Sequence, residues 1–95
     1  MRLLVINPNS TASMTEKIGV AARRAASAGT EIIAVNPLGG PVSIEGYYDE
    51  ALSVPGLLHL VQVTPGFDAV IIACFDDTGL DAARGLTDRP VLGIG

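Results

Sequence analysis

The chain has 95 residues, a formal net charge of −4, 48% hydrophobic residues and a single cysteine. This length and composition predict one compact domain and argue against a disordered chain. The excess of acidic residues argues against a nucleic-acid partner, and the apolar runs are too short to cross a membrane. Because one cysteine cannot form an internal disulfide, we expect a cytoplasmic protein.

Four short apolar runs occupy residues 3–6, 31–35, 69–73 and 91–94. They are rich in Val and Ile, and none alternates apolar with polar residues. This pattern is typical of strands that are buried on both faces, as in a parallel sheet.

The segment between the first two runs has helical spacing of apolar residues. Ser13 and Glu16 fit a capping box, which places the start of this helix near Ser13, although Ser10 is an alternative cap. Gly29 is the expected end of the helix.

Two further helical regions follow. Residues 47–62 have helical character but contain Pro55, which favours the first turn of a helix and disfavours its interior. We therefore predict two short helices, 47–53 and 55–62, and a last short helix at 79–86. The alternating order predicts an α/β fold, a three-layer sandwich with a four-stranded parallel sheet over residues 1–95.

Polar or glycine-rich clusters follow three of the predicted strands, at residues 7–11, 36–41 and 74–78. The carboxyl ends of parallel strands share one edge of the sheet, where α/β proteins bind their ligands. We therefore expect the three clusters to meet there and to bind a small molecule.

Cys74 is the strongest candidate for a reactive side chain. A thiolate can act as a nucleophile or a general base, and backbone N–H groups of the helix predicted at 79–86 could stabilise the anion. The alternative is structural, because free cysteine is among the most buried residue types and packs as a small hydrophobe.

The other candidates each have a structural alternative. Asn7, Asn9 and Ser10 can bind a carboxylate or carbonyl group, but such residues also simply form turns. Asp76 and Asp77 can orient a base or receive an N–H group, and for Asp77 capping of the next helix is the favoured reading.

Gly40 belongs to the second cluster. Of the adjacent Tyr47 and Tyr48, we expect one to pack and the other to face the edge of the sheet, and we place Tyr48 at the site. His59 is expected on the solvent side of its helix. Residues 38–41 lack the lysine of a phosphate-binding loop, and no His, Cys and Asp residues have zinc-site spacing, so neither a nucleotide nor a metal is predicted.

Three blocks, "LLVINPNSTASMTEKI", "GPVSIEGYYDEALSVPGLL" and "DAVIIACFDDTGLDAAR", resemble the hydantoin and allantoin racemases of the Asp/Glu racemase superfamily. The resemblance covers nearly the whole chain, and the blocks come in the expected order. It implies a flavodoxin-like lobe of a two-lobed, cofactor-independent enzyme in which two cysteines, one from each lobe, exchange protons on opposite faces of the substrate carbon.

By this resemblance, Cys74 corresponds to the first-lobe cysteine. The turn with Asn7, Asn9 and Ser10 corresponds to the substrate-facing first loop, and residues 75–77 (Phe75, Asp76 and Asp77) correspond to the segment beside the cysteine. Because this sequence contains one lobe and one cysteine, we expect the N-terminal half of a longer racemase that is inactive alone.

Two other readings stay open. One is a reaction that needs a single cysteine, such as decarboxylation or isomerisation within the same superfamily. The other is a non-catalytic α/β module that self-associates through an exposed sheet edge and an uncovered apolar face, and for this chain we expect a homo-oligomer.

Overall fold

The computed structural model describes residues 1–95. Its elements, in chain order, are β1 (Arg2–Ile6), α1 (Ala12–Ala25), β2 (Glu31–Val35), α2 (Tyr47–Val63), β3 (Ala69–Ile72), α3 (Leu80–Arg84) and β4 (Val91–Gly93). The four strands form one parallel sheet in the order β2-β1-β3-β4. The α/β fold with a four-stranded parallel sheet is confirmed.

One face of the sheet holds the core. Alternate residues of β1 and β3, including Leu4 and Ile72, are fully buried against Leu57 and Val61 of α2 and Ala83 of α3. Burying each such large apolar side chain contributes on the order of 1.5–3 kcal/mol to folding. The sequence feature behind this face is the unbroken apolar run in each strand, since a strand between two layers has no solvent side.

The opposite face is covered less completely. Helix α1 lies on this side and packs mainly against β2, while Val5 and Ile71 of the central strands face the same side as the α1 residue Ile18. Beyond them, Leu92 and Ile94 are 54% and 48% exposed. The sandwich is therefore closed on the α2 side and open over β3 and β4 on the α1 side.

The predicted break at Pro55 is wrong, because α2 continues from Tyr47 to Val63 with Pro55 inside it. Proline removes one helical hydrogen bond, which would end on the carbonyl of Ala51, at a cost of about 3 kcal/mol. Ala51 is exposed, so water can donate a hydrogen bond to its carbonyl oxygen. Leu57 and Val61, on the following turns, are buried in the core and hold the helix together.

The predicted ends of α1 are also wrong. The helix begins after Thr11, and Ser13 lies within it, so no capping box forms. The Thr11 hydroxyl instead donates to the Val42 carbonyl oxygen at 2.6 Å. At the other end α1 stops at Ala25, and Gly29 lies further on, in the turn before β2, with a φ of +86°.

Candidate functional site

The carboxyl ends of the strands gather the three predicted clusters at one edge of the sheet. Backbone hydrogen bonds continue the strand pairing beyond the strands themselves: Asn7 N–H donates to the Val35 carbonyl at 2.9 Å, and Ala73 N–H donates to the Ile6 carbonyl at 2.8 Å. The segment after β1 is thereby held between those after β2 and β3.

The segment after β1 contains a buried hydrogen-bond network. The Asn7 side chain is 2% exposed, and its Nδ2 donates to Asn9 Oδ1 at 2.8 Å and to Thr15 Oγ1 at 3.2 Å. Thr15 Oγ1 donates to Asn36 Oδ1 at 2.6 Å, which joins the network to the end of β2. Asn9 Oδ1 also accepts from the Thr11 N–H at 2.9 Å. The amide oxygens and the Asn7 amide nitrogen are thus engaged within the protein.

Ser10 and Gly40 meet as neighbours in this arrangement. Ser10 Oγ donates to the carbonyl oxygens of Gly40 and Pro41 at 3.1 and 3.2 Å, and the Ser10 N–H donates to the Pro41 carbonyl at 2.9 Å. Gly40 has a φ of +95°, a backbone conformation that glycine adopts without strain. Two of the predicted substrate-binding residues therefore fasten the first two loops to each other.

Cys74 follows β3 by two residues and is half-buried. It packs against the hydrophobic core and also lines a groove on the α1 side of the sheet. Its Sγ lies 3.3 Å from Thr78 Oγ1, which is its hydrogen-bond partner. The thiol is therefore neither sealed in the core nor free on the surface.

The expected stabilisation of the Cys74 sulfur by a helix N-terminus is not found, although a helix does begin close to the predicted residue 79. Helix α3 begins at Leu80 and has only five residues, and no backbone N–H group donates to the sulfur. A helix of this length has few aligned peptide dipoles, so its field is weak. The hydrogen-bonding partner of the thiol is the Thr78 hydroxyl and not a helix N-terminus.

Asp77 has a different role from capping. Its φ is +51°, and no side chain caps α3. Its Oδ1 accepts from the Gly95 N–H at 2.9 Å. A side chain at Gly93 would collide with this carboxylate. Asp77 therefore joins the turn after β3 to the end of β4, and the capping interpretation is wrong.

The remaining predicted residues lie on the surface of this edge. Phe75 is 85% exposed, and Asp76 is exposed as well. Tyr48 is 77% and Tyr47 92% exposed, so the expectation that one of the two packs is wrong. Tyr47, not Tyr48, shares a shallow depression with Asp76. His59 is exposed, as expected.

The groove beside Cys74 has a volume of about 540 Å³. Its lining is mostly apolar and comes from the open face of the sheet, the inner side of α1 and the segments after β1 and β3. Cys74 is the only residue with an ionisable side chain among those that line it. An acid or base that acts within this groove therefore has to be the thiol, as far as these 95 residues are concerned.

Two further features were looked for in the structure, a metal site and a membrane-spanning helix. No group of three or more His, Cys, Asp or Glu side chains is placed to hold a metal ion. None of the helices combines the length and the apolar character that a membrane span requires.

Thr78 and Thr15 were not predicted as important to the site. Thr78 is fully buried and contacts the Cys74 sulfur, and Thr15 is buried between Asn7 and Asn36, which follow β1 and β2. The pairing of Thr78 with Cys74 has no signal in the sequence, because it depends on the positive φ of Asp77 and Gly79. Thr15 lies on a helix face, and its pairing with Asn36 depends on how α1 docks on the sheet.

The sequence and the fold both match known proteins. Residues 3–95 match the family described as Asp/Glu/Hydantoin racemase. The chain is 52% identical over 96 residues to a hydantoin racemase of Pseudomonas sp. (strain NS671) and 50% identical over 97 residues to a hydantoin racemase of Paenarthrobacter aurescens. These alignments cover 99% of this chain and 39% and 41% of the relatives, so the chain spans about two fifths of their length.

Solved structures agree with this match. The allantoin racemase from Klebsiella pneumoniae superposes with a TM-score of 0.96 at 50% identity, over 99% of this chain and 39% of the other. The allantoin racemase from Pseudomonas fluorescens superposes with a TM-score of 0.94 at 40% identity, over 99% of this chain and 40% of the other. From the family match over residues 3–95, the chain belongs to the Asp/Glu/hydantoin racemase family.

Proposed function

We propose that this chain carries one half of the proton-transfer site of a cofactor-independent racemase, with Cys74 as the acid/base thiol. The substrate is a hydantoin, allantoin or a similar amino-acid-like molecule. The observation that carries the proposal is that Cys74 is the only ionisable side chain lining the groove at the carboxyl edge of the sheet. A cytoplasmic location, where thiols stay reduced, suits this chemistry.

The reaction begins when the Cys74 thiolate removes the proton from the substrate's stereogenic carbon. The S–H bond forms as the C–H bond breaks, and the electron pair moves into the adjacent carbonyl as an enolate. A second acid on the opposite face then returns a proton to the carbon, and the carbonyl re-forms. Polar groups of the segment after β1, including the Asn9 amide, lie at the same edge of the sheet as the developing oxyanion.

The second acid/base group has to approach from the other face of the substrate carbon. Residues 1–95 contain one cysteine, and no other ionisable side chain reaches the groove. We therefore place the second group in a second lobe outside these 95 residues, in keeping with relatives that are about two and a half times as long. On this proposal, the 95-residue chain alone does not racemise substrate.

A chimera tests the assignment of Cys74. Residues 1–95 replace the matched segment of the Pseudomonas sp. hydantoin racemase, and racemisation of a resolved hydantoin is followed by loss of optical rotation. We expect the chimera to be active and its Cys74→Ser variant to lose activity by at least roughly 100-fold, the scale of general acid–base catalysis. Ser43→Ala removes another polar group from the groove and serves as the matched control, with activity retained. A Cys74→Ser chimera as active as its parent would contradict the proposal.

A one-cysteine decarboxylation or isomerisation is the alternative reaction at the same site, since it needs no acid or base other than the Cys74 thiol that lines the groove. Here the thiol delivers one proton to a single face of the carbanion. Product stereochemistry separates the two reactions: a single enantiomer indicates decarboxylation, whereas a racemate indicates racemisation.

The open apolar face supports a second candidate role for the 95-residue chain, association with another copy of itself. Leu92 and Ile94, half exposed at one edge, continue the apolar surface of Ile71 and Ile18. We propose that two copies bury these faces against each other, because apolar surface left in water favours association. Light scattering at micromolar concentration is expected to give a dimer, and an Ile94→Lys variant a monomer. A wild-type chain that stays monomeric would contradict this role.

A further inference from the structure

Thr78 is the one side chain that hydrogen-bonds to the Cys74 sulfur, and it takes no part in the proton transfer described above. We infer that Thr78 is a positioning residue, whose hydroxyl holds the thiol in place and stabilises its deprotonated form. The inference rests on the proposed role of Cys74 as an acid/base group.

The hydroxyl of Thr78 has a single hydrogen-bonding partner. The residue is 0% exposed, and Oγ1 lies 3.3 Å from Cys74 Sγ with no other protein group within hydrogen-bonding reach. A buried hydroxyl without a partner would be unfavourable by about 1–3 kcal/mol relative to a bonded one, so the interaction with sulfur is what satisfies it.

The backbone around Thr78 holds this hydroxyl in place. Asp77 and Gly79, its two neighbours, have φ values of +51° and +71°. The Asp77 N–H donates to the Cys74 carbonyl and the Leu80 N–H to the Asp77 carbonyl, each at 3.1 Å. Two consecutive closed turns thus fold residue 78 back beneath residue 74. Because Thr is branched at Cβ, its side chain also has few rotamers available.

A hydroxyl suits both protonation states of the thiol. It can accept a hydrogen bond from the S–H group when Cys74 is protonated, and it can donate one to the thiolate after rotation of its own hydrogen. Hydrogen bonds to a charged acceptor are stronger than those between neutral groups, so the bond favours the thiolate. Since no backbone N–H group reaches the sulfur, this hydroxyl is the only hydrogen-bond donor that the protein supplies to the anion.

The rate of Cys74 alkylation by iodoacetamide, measured against pH in the native 95-residue chain, tests this role. Only the thiolate reacts, so the midpoint of the profile reports its formation. Thr78→Val removes the hydroxyl and keeps the shape of the side chain, and we expect the midpoint to rise by roughly one pH unit. Thr78→Ser keeps the hydroxyl and is expected to retain the wild-type midpoint. Thr87→Val, which removes a hydroxyl that serves Arg89 instead, is the matched control and is expected to leave it unchanged.

Three results would overturn the inference: an unchanged midpoint in Thr78→Val, an equal shift in Thr78→Ser, or no labelling of Cys74 before denaturation. Circular dichroism checks that each variant is folded, and Thr78→Ala replaces Thr78→Val if the latter is not. The assay needs neither substrate nor a second lobe. A shifted midpoint with an inactive chimera would therefore support Thr78 and reject the proposed reaction, while an active chimera with an unshifted midpoint would do the reverse.

Discussion

The segment after β1 and the turn after β3 lie side by side at the same edge of the sheet, yet they are built differently. Asn7 and Asn9, after β1, are 2% and 7% exposed and engage each other, Thr15 and nearby backbone groups through their side chains. After β3, Phe75 is 85% exposed, and Cys74 has one side-chain partner. Several side-chain hydrogen bonds hold the first segment, whereas positive φ angles shape the second, which has one side-chain hydrogen bond to the end of β4, from the Gly95 N–H to Asp77.

If Cys74 is the proposed acid/base group, this difference separates the residues that support the site from the residue that reacts. A group that transfers a proton has to remain accessible to substrate, and it cannot be saturated with hydrogen bonds from the protein. Cys74 is half-buried with one side-chain partner and fulfils this condition, while the asparagines after β1 are buried and engaged within the protein. The following substitutions test that division, beginning with the largest expected effect on stability.

Asn7→Ala should destabilise the segment after β1. It removes an amide that bonds to Asn9 and Thr15 in the interior. The buried Asn9 N–H then loses its partner in the protein, and Asn9 Oδ1 and Thr15 Oγ1 each lose one of their hydrogen bonds. We expect the free energy of unfolding to fall by about 2–3 kcal/mol, measured by urea denaturation. Ser10→Ala, on the same segment, loses bonds only to carbonyl groups near the surface and should cost less than about 1 kcal/mol. Equal effects would show that the buried network is not what holds the segment.

Gly79→Ala should strain the turn after β3. The φ of +71° disfavours alanine, and the new methyl group would lie 3.1 Å from Leu57 Cδ2. We expect a loss of about 2 kcal/mol in unfolding free energy, of which backbone strain is about half. Gly29→Ala is the matched control, because its φ is +86° and nothing lies within 4 Å of the added methyl group. If Gly79→Ala lowers the free energy of unfolding no more than Gly29→Ala does, contact with Leu57 does not constrain this turn.

Phe75→Ala should have the smallest effect on stability. Its ring is 85% exposed, so truncation removes little buried surface and should change the unfolding free energy by less than about 0.5 kcal/mol. If Phe75 contacts substrate, as its position beside Cys74 suggests, KM of the chimera should rise while kcat changes less. A large loss of stability would show that the ring packs in solution and does not face the groove.

The strands and their parallel arrangement could be predicted because each strand is an unbroken apolar run, and burial on both faces leaves a direct signature in composition. The ends of the helices could not be predicted from the sequence. Thr11 begins α1 while its hydroxyl bonds to Val42, which is distant in sequence. Pro55 stays inside α2 because Leu57 and Val61 are buried against the sheet, and tertiary packing of this kind outweighs local propensity.

The candidate site, like the fold, could be predicted from the sequence only in part. Cys74 and the asparagines after β1 could be placed at one edge because they follow parallel strands, and topology alone brings such residues together. Thr78 could not be paired with Cys74 from the sequence, since that contact depends on the positive φ of Asp77 and Gly79. Asp77, a non-glycine residue in the left-handed region, has a conformation that its residue type permits but does not dictate.

The most direct test of the central claim is the fate of the substrate proton. In deuterium oxide, the chimera that carries residues 1–95 should place deuterium on the stereogenic carbon as it racemises the hydantoin, as detected by mass spectrometry against a control without protein. The account predicts that Cys74→Ser abolishes this incorporation for the enantiomer whose proton faces Cys74 and that Ser43→Ala does not. Incorporation at the parent rate in Cys74→Ser would contradict the claim and return Cys74 to a packing role.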